Sequence, residues 1–398
     1  MKKSLGSESA HSHETIHIIQ SIYIMSSKGL FLLSILGLVV TGCSSDKLVE
    51  ELETKSESNA IRFNVINNLT TKPLSRATIT NSSNITSTEF AVWALTSDST
   101  FFMGKPVEYS ASNNLGGVHI SHNGSIWDYA SGAEMYFWPT VANPLDFYAI
   151  NPVTDALTYS WTFQKDKKEI TYTCINEYGD YAGTGYTNMD VMYAVKNAQT
   201  KNSNNGKVPL KFRHILSNIA FKATTEKANM EVYLNEIKLH NVTANGVFTI
   251  PGDENKPTSA NWTLGSLLRT SLTIAKDKNL HITNDTTTSI SLDAPMLIVP
   301  QTLTKWDVAN QETKTIAQAN TAKQSYLEVS CKIKQRDVYL FGAADSCATL
   351  YIPFGATFDP GTRYIYTIHF GGGYDENGNK TLTPITFEAD TQDWDDID

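Results

Sequence analysis

Two histidines stand three apart in His119-Ile120-Ser121-His122, a spacing that chelates a metal ion when both rings share a face. On a strand, residues three apart point to opposite faces, so this pair is not expected to hold one. Asp375, Asn377 and Asn379 have the spacing that opens a calcium loop. Such a loop needs Gly at its sixth position and Glu at its twelfth. Here those positions are Lys380 and Thr386, and Asn377-Gly378 reads as a two-residue hairpin turn instead. His214 reads as a satisfied structural histidine at a domain boundary rather than a base. There is no G-x-S-x-G elbow and no P-loop, and Gly371-Gly372-Gly373 joins strands without opening a helix, so it cradles no phosphate. The sequence therefore predicts no catalytic residue, no metal site and no cofactor.

The cysteines carry other chemistry. Leu30 to Cys43, L-F-L-L-S-I-L-G-L-V-V-T-G-C, follows Lys28 and is too short to span a bilayer, which takes roughly 20 apolar residues. A basic start, a short apolar core and small residues at the cut describe a secretory signal peptide. The Thr41-Gly42-Cys43 junction resembles the lipobox of bacterial lipoproteins, in which the cysteine thiol takes a diacylglyceryl group. Met25 sits three residues before Lys28, so residues 1–24 read as an over-extended start. His11, His13 and His17 fall in that stretch and form no metal site. Cys174 is isolated. Cys331 and Cys347 lie on candidate neighbouring strands and either pair or stay as two buried thiols.

Charge excludes some partners. The chain has 32 Lys and Arg against 41 Asp and Glu, a formal charge of -9, with no basic cluster. That argues against nucleic acid and against an electrostatic hold on anionic lipid.

The elements that would position any site read as strands. Residues 44–60 are a polar tether. Ile61-Arg62-Phe63-Asn64-Val65-Ile66 alternates apolar and polar, and residues 67–87 form an Asn/Ser/Thr-rich loop with Pro73 and Arg76. Short apolar runs follow at 90–95, 101–103, 107–109, 118–120, 136–139, 145–152 and 189–194. Lys201 to Lys207, K-N-S-N-N-G-K, is the best interior break. Beyond it come runs at 208–212, 215–223, 230–240, 247–252, 296–301, 325–334, 348–354, 364–370 and 382–388, and then an acidic tail read as a solvated end. No window carries a helical stripe, so the pattern predicts an all-β protein of two antiparallel β-sandwich domains. The expected division is 1–42 start and signal, 43–76 tether and first strand, 77–205 first sandwich, and 206–398 second sandwich.

The blocks also come in a telling order: lipobox, first strand, Arg-bearing loop, F-x-V-x-A, Y-F-W-P, L-D-F-Y-A-x-x-P, D-V-M-Y-A and F-x-H-I-L-S-N-I. G-x-F, L-I-V-P-Q, Y-I-P-F, P-G-x-x-Y-x-Y-x-I-x-F and a final Trp complete it. Together they resemble the fimbrillin family of anaerobic Gram-negative bacteria, in its Mfa-like branch. The resemblance implies transthyretin-like (Greek-key) sandwiches and a fimbrial (pilus) subunit that serves adhesion. It also implies export as a lipoprotein, lipidated at Cys43, to the outer membrane surface. An Arg-specific protease would cut between Arg76 and Ala77, removing the first strand, and a strand from another fimbrial subunit would fill the groove. Ile61, Phe63 and Val65 share one face, as do Ile385, Phe387 and Ala389 near the C-terminus, so the last strand is the candidate donor. The alternative is a non-polymerising surface lipoprotein that binds glycan or host protein, with Trp127, Trp161 or Trp306 stacking on sugar rings.

Overall fold

A computed structural model describes residues 59–66, 84–111, 114–141, 143–154, 158–174, 188–266, 268–276, 279–291, 296–382 and 385–394. Phe90–Thr96 shows why long apolar runs fold as they do here. Phe90, Val92 and Ala94 enter one core while Ala91, Trp93 and Leu95 enter another. A strand with a core on each face needs no polar side, so its text is continuously apolar. Leu145–Asn151 splits likewise, Phe147 and Ala149 to one side, Tyr148 and Ile150 to the other.

These strands lie inside a nine-stranded sheet ordered Lys207–Leu210, Arg62–Val65, Trp127–Tyr129, Val118–His122, Phe90–Thr96, Leu145–Asn151, Met192–Gln199, Arg213–His214, with Phe101–Met103 beside Phe90–Thr96. One of its faces packs on a four-stranded sheet of Trp262–Leu264, Asn245–Thr249, Lys168–Thr173 and Tyr159–Phe163. The second half of the chain builds a five-stranded sheet, Thr288–Ser289, Ser217–Thr225, Thr362–Phe370 and Thr386–Asp393 in order, with Met296–Ile298 beside Ser217–Thr225. It shares a core with an eight-stranded sheet centred on Met230–Thr243 and Tyr326–Gln335. Gln301–Leu303 and Ala356–Phe358 form a separate pair. Ile316–Thr321 is the one α-helix among the described residues, and Thr315 and Gln318 cap its start reciprocally.

The protein is thus all-β and largely antiparallel. Two parallel pairs depart from that expectation: Arg62–Val65 with Lys207–Leu210, and Asn218–Thr225 with Arg363–Phe370. The polar break at 201–207 separates two strands of the same sheet, and the chain leaves that sheet between His214 and Ser217. Asn245–Thr249 then returns to pair with Lys168–Thr173 of the first half. No helix among the described residues is long and apolar enough to cross a membrane.

Candidate functional site

The first strand is an interior strand, not an edge. Its Arg62–Val65 backbone runs parallel to Lys207–Leu210 on one side, in the register Phe63 to Val208, and antiparallel to Trp127–Tyr129 on the other, Phe63 opposite Trp127. The Ile66 N–H donates to the Leu210 carbonyl at 2.9 Å. The chain before the strand is clamped by the Y-F-W-P segment. Ile61 N–H donates to Tyr136 O at 2.9 Å, Trp138 N–H to Asn59 O at 3.0 Å, and Asn59 Nδ2 to Trp138 O at 3.2 Å. Residues 136–139 therefore form an isolated bridge, Ala60 to Phe137, rather than the expected strand. Trp138 Nε1 also donates to Gly206 O at 3.1 Å, tying the clamp to the turn that precedes Lys207.

The alternation expected for the first strand is present. Ile61 and Phe63 are fully buried, Val65 packs on the same core, and Asn64 faces out. The Phe63 ring meets Phe90 and Phe147 edge to face, with centroids 6.0 and 6.1 Å away. Arg62 pairs with Asp128 on the outer face. Tyr129 Oη donates to Ile61 O at 3.1 Å and accepts the Tyr136 N–H at 3.1 Å. Burial against this strand pushes its phenol up to about 12, because the phenolate would lose its water.

The last strand, Thr386–Asp393, starts later than expected and pairs antiparallel with Thr362–His369 at the edge of the five-stranded sheet. Ile385 is buried just before it, and Phe387 is half-buried against Phe354, 5.4 Å between centroids. Ala389 is exposed, so the shared apolar face runs off the core at its third member. The tail that follows is not wholly solvated. Trp394 is buried in the core of the first sheet and stacks on the His214 ring at 3.8 Å with an interplanar angle of 3°. His214 Nδ1 lies 2.9 Å from Asp190 Oδ1, both buried, so the boundary histidine and the D-V-M-Y-A aspartate form one support for the final Trp. Trp394 N–H donates to Gly361 O at 2.8 Å.

Other candidate residues resolve as structural. His119 lies 3.7 Å from Glu89, and His122 Nδ1 accepts the Gly124 N–H. Asn377-Gly378 sits in a five-residue loop, with Tyr374 opposite Lys380, and of the two only Gly378 has positive φ. Asp375 Oδ1 accepts the N–H groups of Asn377 and Asn379, which makes the longer loop stable without a two-residue turn. Cys331 and Cys347 are unbridged: Ala348 lies opposite Cys331, whose side chain points into the core, and Cys347 stands one residue out of register. Burial pushes the Cys331 thiol up. Trp127, Trp161 and Trp306 are core residues and offer no sugar platform. Cys43, Arg76 and Ala77 lie outside the described residues.

A family model described as fimbrillin-like matches residues 75–394. The chain belongs to the fimbrillin-like family. Membership makes it a structural and adhesive protein of the fimbrial kind rather than an enzyme. Among solved structures, this fimbrillin-like chain is similar to a fimbrial protein from Bacteroides vulgatus, at 16% identity over 84% of this chain and 99% of that one, with a TM-score of 0.49. It is also similar to the tip fimbrial protein Mfa3 from Porphyromonas gingivalis, at 9% identity over 77% of this chain and 94% of that one, with a TM-score of 0.36. No curated protein matches it.

Proposed function

We propose that this fimbrillin-like chain is a fimbrial subunit that travels to the outer membrane surface as a lipoprotein acylated at Cys43. An Arg-specific protease cuts after Arg76, the segment through the first strand leaves, and the last strand of another subunit takes its place. We further propose two sandwich domains of Greek-key topology, joined where the chain passes from His214 to Ser217. The observation that carries assembly is the position of the first strand, bonded on both sides. Its loss uncovers an apolar slot about one Ile and one Phe deep, flanked by two rows of unpaired backbone groups. Open edges of that kind invite another strand. The last strand is an edge strand with Ile385 and Phe387 two apart, matching Ile61 and Phe63.

The test is assembly after limited cleavage. Purified full-length protein is treated with trypsin at low dose and followed by light scattering. Arg76→Ala is expected to stay monomeric and folded. Phe387→Asp is expected to be cut normally yet stay monomeric, since a charge would enter an apolar pocket. Polymerisation of either variant at the parent rate would reject strand replacement and favour a non-polymerising surface lipoprotein.

A further inference from the structure

We infer that the first sheet carries a binding site for a neutral saccharide. The site is a cavity of about 630 Å³, within the size range of small-ligand pockets. It lies between the turn after Phe101–Met103, the start of Val118–His122 and the segment from Ala130 to Tyr136. It needs only the folded subunit, so it stands apart from cleavage and strand replacement.

The floor is bare backbone. Gly104, Gly116 and Gly117 line it with φ of 77°, 66° and 67°, values that residues with a side chain rarely adopt. Their backbone lies directly on buried side chains. A Cβ at Gly104 would come within 2.8 Å of Trp93, one at Gly117 within 3.0 Å of the same ring, and one at Gly116 within 3.0 Å of Val107. Trp93 Nε1 donates to Lys105 O at 2.9 Å, which fixes the rim to the core. The shape of the floor is therefore set before any ligand arrives, and that lowers the ordering cost of binding.

The rim supplies hydrogen-bonding groups of both kinds. Glu89 and Glu134 accept, Lys105 donates, and Asn114 and Ser131 do both. The side chains of Lys105, Asn114 and Ser131 have no partner among the described residues. Tyr136 Oη donates to Glu134 Oε2 at 3.1 Å and holds that carboxylate in place. A sugar hydroxyl is donor and acceptor at once, so a ring of hydroxyls needs both kinds of group close together. A phosphate or carboxylate ligand needs donors alone and would face two carboxylates. An ammonium ligand needs acceptors alone and would face Lys105. A peptide backbone needs a free strand edge, and Val118–His122 is paired on both sides, to Phe90–Thr96 and to Trp127–Tyr129. The half-buried Tyr136 ring adds an aromatic surface for the apolar face of a sugar. One open site of this kind binds weakly, and on the fimbrial reading its repetition along a polymer multiplies the hold.

The probes are cellobiose, lactose, mannobiose and N-acetyllactosamine, with sialyllactose as the acidic control. Each is added to purified full-length protein and followed by saturation-transfer NMR. At least one neutral disaccharide should bind, and sialyllactose should bind more weakly than lactose. Ser131→Trp, which plugs the rim, and Glu134→Gln, which weakens an acceptor, should each reduce binding about tenfold with the melting temperature unchanged. Binding by either variant equal to the parent overturns the inference. So does tighter binding of sialyllactose than of lactose, or silence from all the neutral sugars. None of these outcomes touches strand replacement, which the Arg76→Ala and Phe387→Asp proteins test on their own.

Discussion

Trp394→Ala should loosen the last strand far more than its own side-chain pairs would suggest. Of the strand's eight residues, six are exposed and only Phe387 and Gln392 are partly covered. Backbone pairing with Thr362–His369 remains, but such bonds exchange with water and add little net hold each. The apolar hold sits at the two ends, in Ile385 and Trp394, which are both buried. A buried Trp covers about 200 Å². At ~25 cal/mol per Å² that is about 5 kcal/mol, in line with the 3–5 kcal/mol cost of emptying a large aromatic site. Since 1.4 kcal/mol is tenfold, opening of this strand should rise by a factor of about a hundred to a few thousand. Hydrogen exchange by mass spectrometry on a peptide covering residues 386–394 measures it directly, and the neighbouring 362–370 should follow. Trp394→Phe, which keeps a ring over His214, should fall between parent and Ala. After tryptic cleavage the Ala variant should also assemble faster, because release of the donor strand begins with extracting that ring. Unchanged exchange over 386–394, with a loss confined to global stability, would refute the argument. The strand would then be held by its backbone ladder, and Trp394 would be ordinary core.

Three further outcomes follow from the same structure. Phe63→Ala should destabilise the uncut protein by about 3–5 kcal/mol in urea melts, since the ring is buried between Phe90 and Phe147. Tyr129→Phe should flatten an alkaline stability loss: a phenol raised to about 12 by burial keeps its full contribution below its unfolded value near 10 and sheds it as pH rises toward 12. Melts from pH 8 to 12 check this, the parent falling more steeply than the variant. Cys43→Ala should abolish incorporation of a clickable fatty acid by cells, and label equal to the parent would remove the lipoprotein reading.

Much of the sheet structure was legible because it depends on local alternation. The runs at 90–95, 118–120 and 145–152 have side chains that must sort by face, and they do. What escaped has a common cause in partners distant along the chain. Tyr136-Phe137-Trp138-Pro139 reads as a strand by composition, but its bonds go to Asn59 and Ile61, leaving one bridge. Lys207–Leu210 pairs parallel with a strand far upstream, which no local pattern announces. The expected runs leave residues 254–284 without a strand, yet they hold Trp262–Leu264 and Leu268–Ala275, each paired to a strand fixed by tertiary contact. Trp394 stands among four aspartates, Asp393, Asp395, Asp396 and Asp398, so polarity alone reads it as solvated; the ring's burial is decided by His214, nearly half the chain away. In the candidate site, the apolar face of the first strand was visible as a two-residue rhythm, whereas the clamp required coordinates.

The first strand has a mechanical consequence. It is bonded along both flanks to strands lying beside it. A load carried along the strand axis is shared by its flanking hydrogen bonds, which must yield together. A strand peeled from one edge would give way bond by bond. On the proposed reading, an anchored molecule of this design would resist drag in shear, and the same slot, refilled by another strand, would pass tension from one molecule to the next without an unzipping edge.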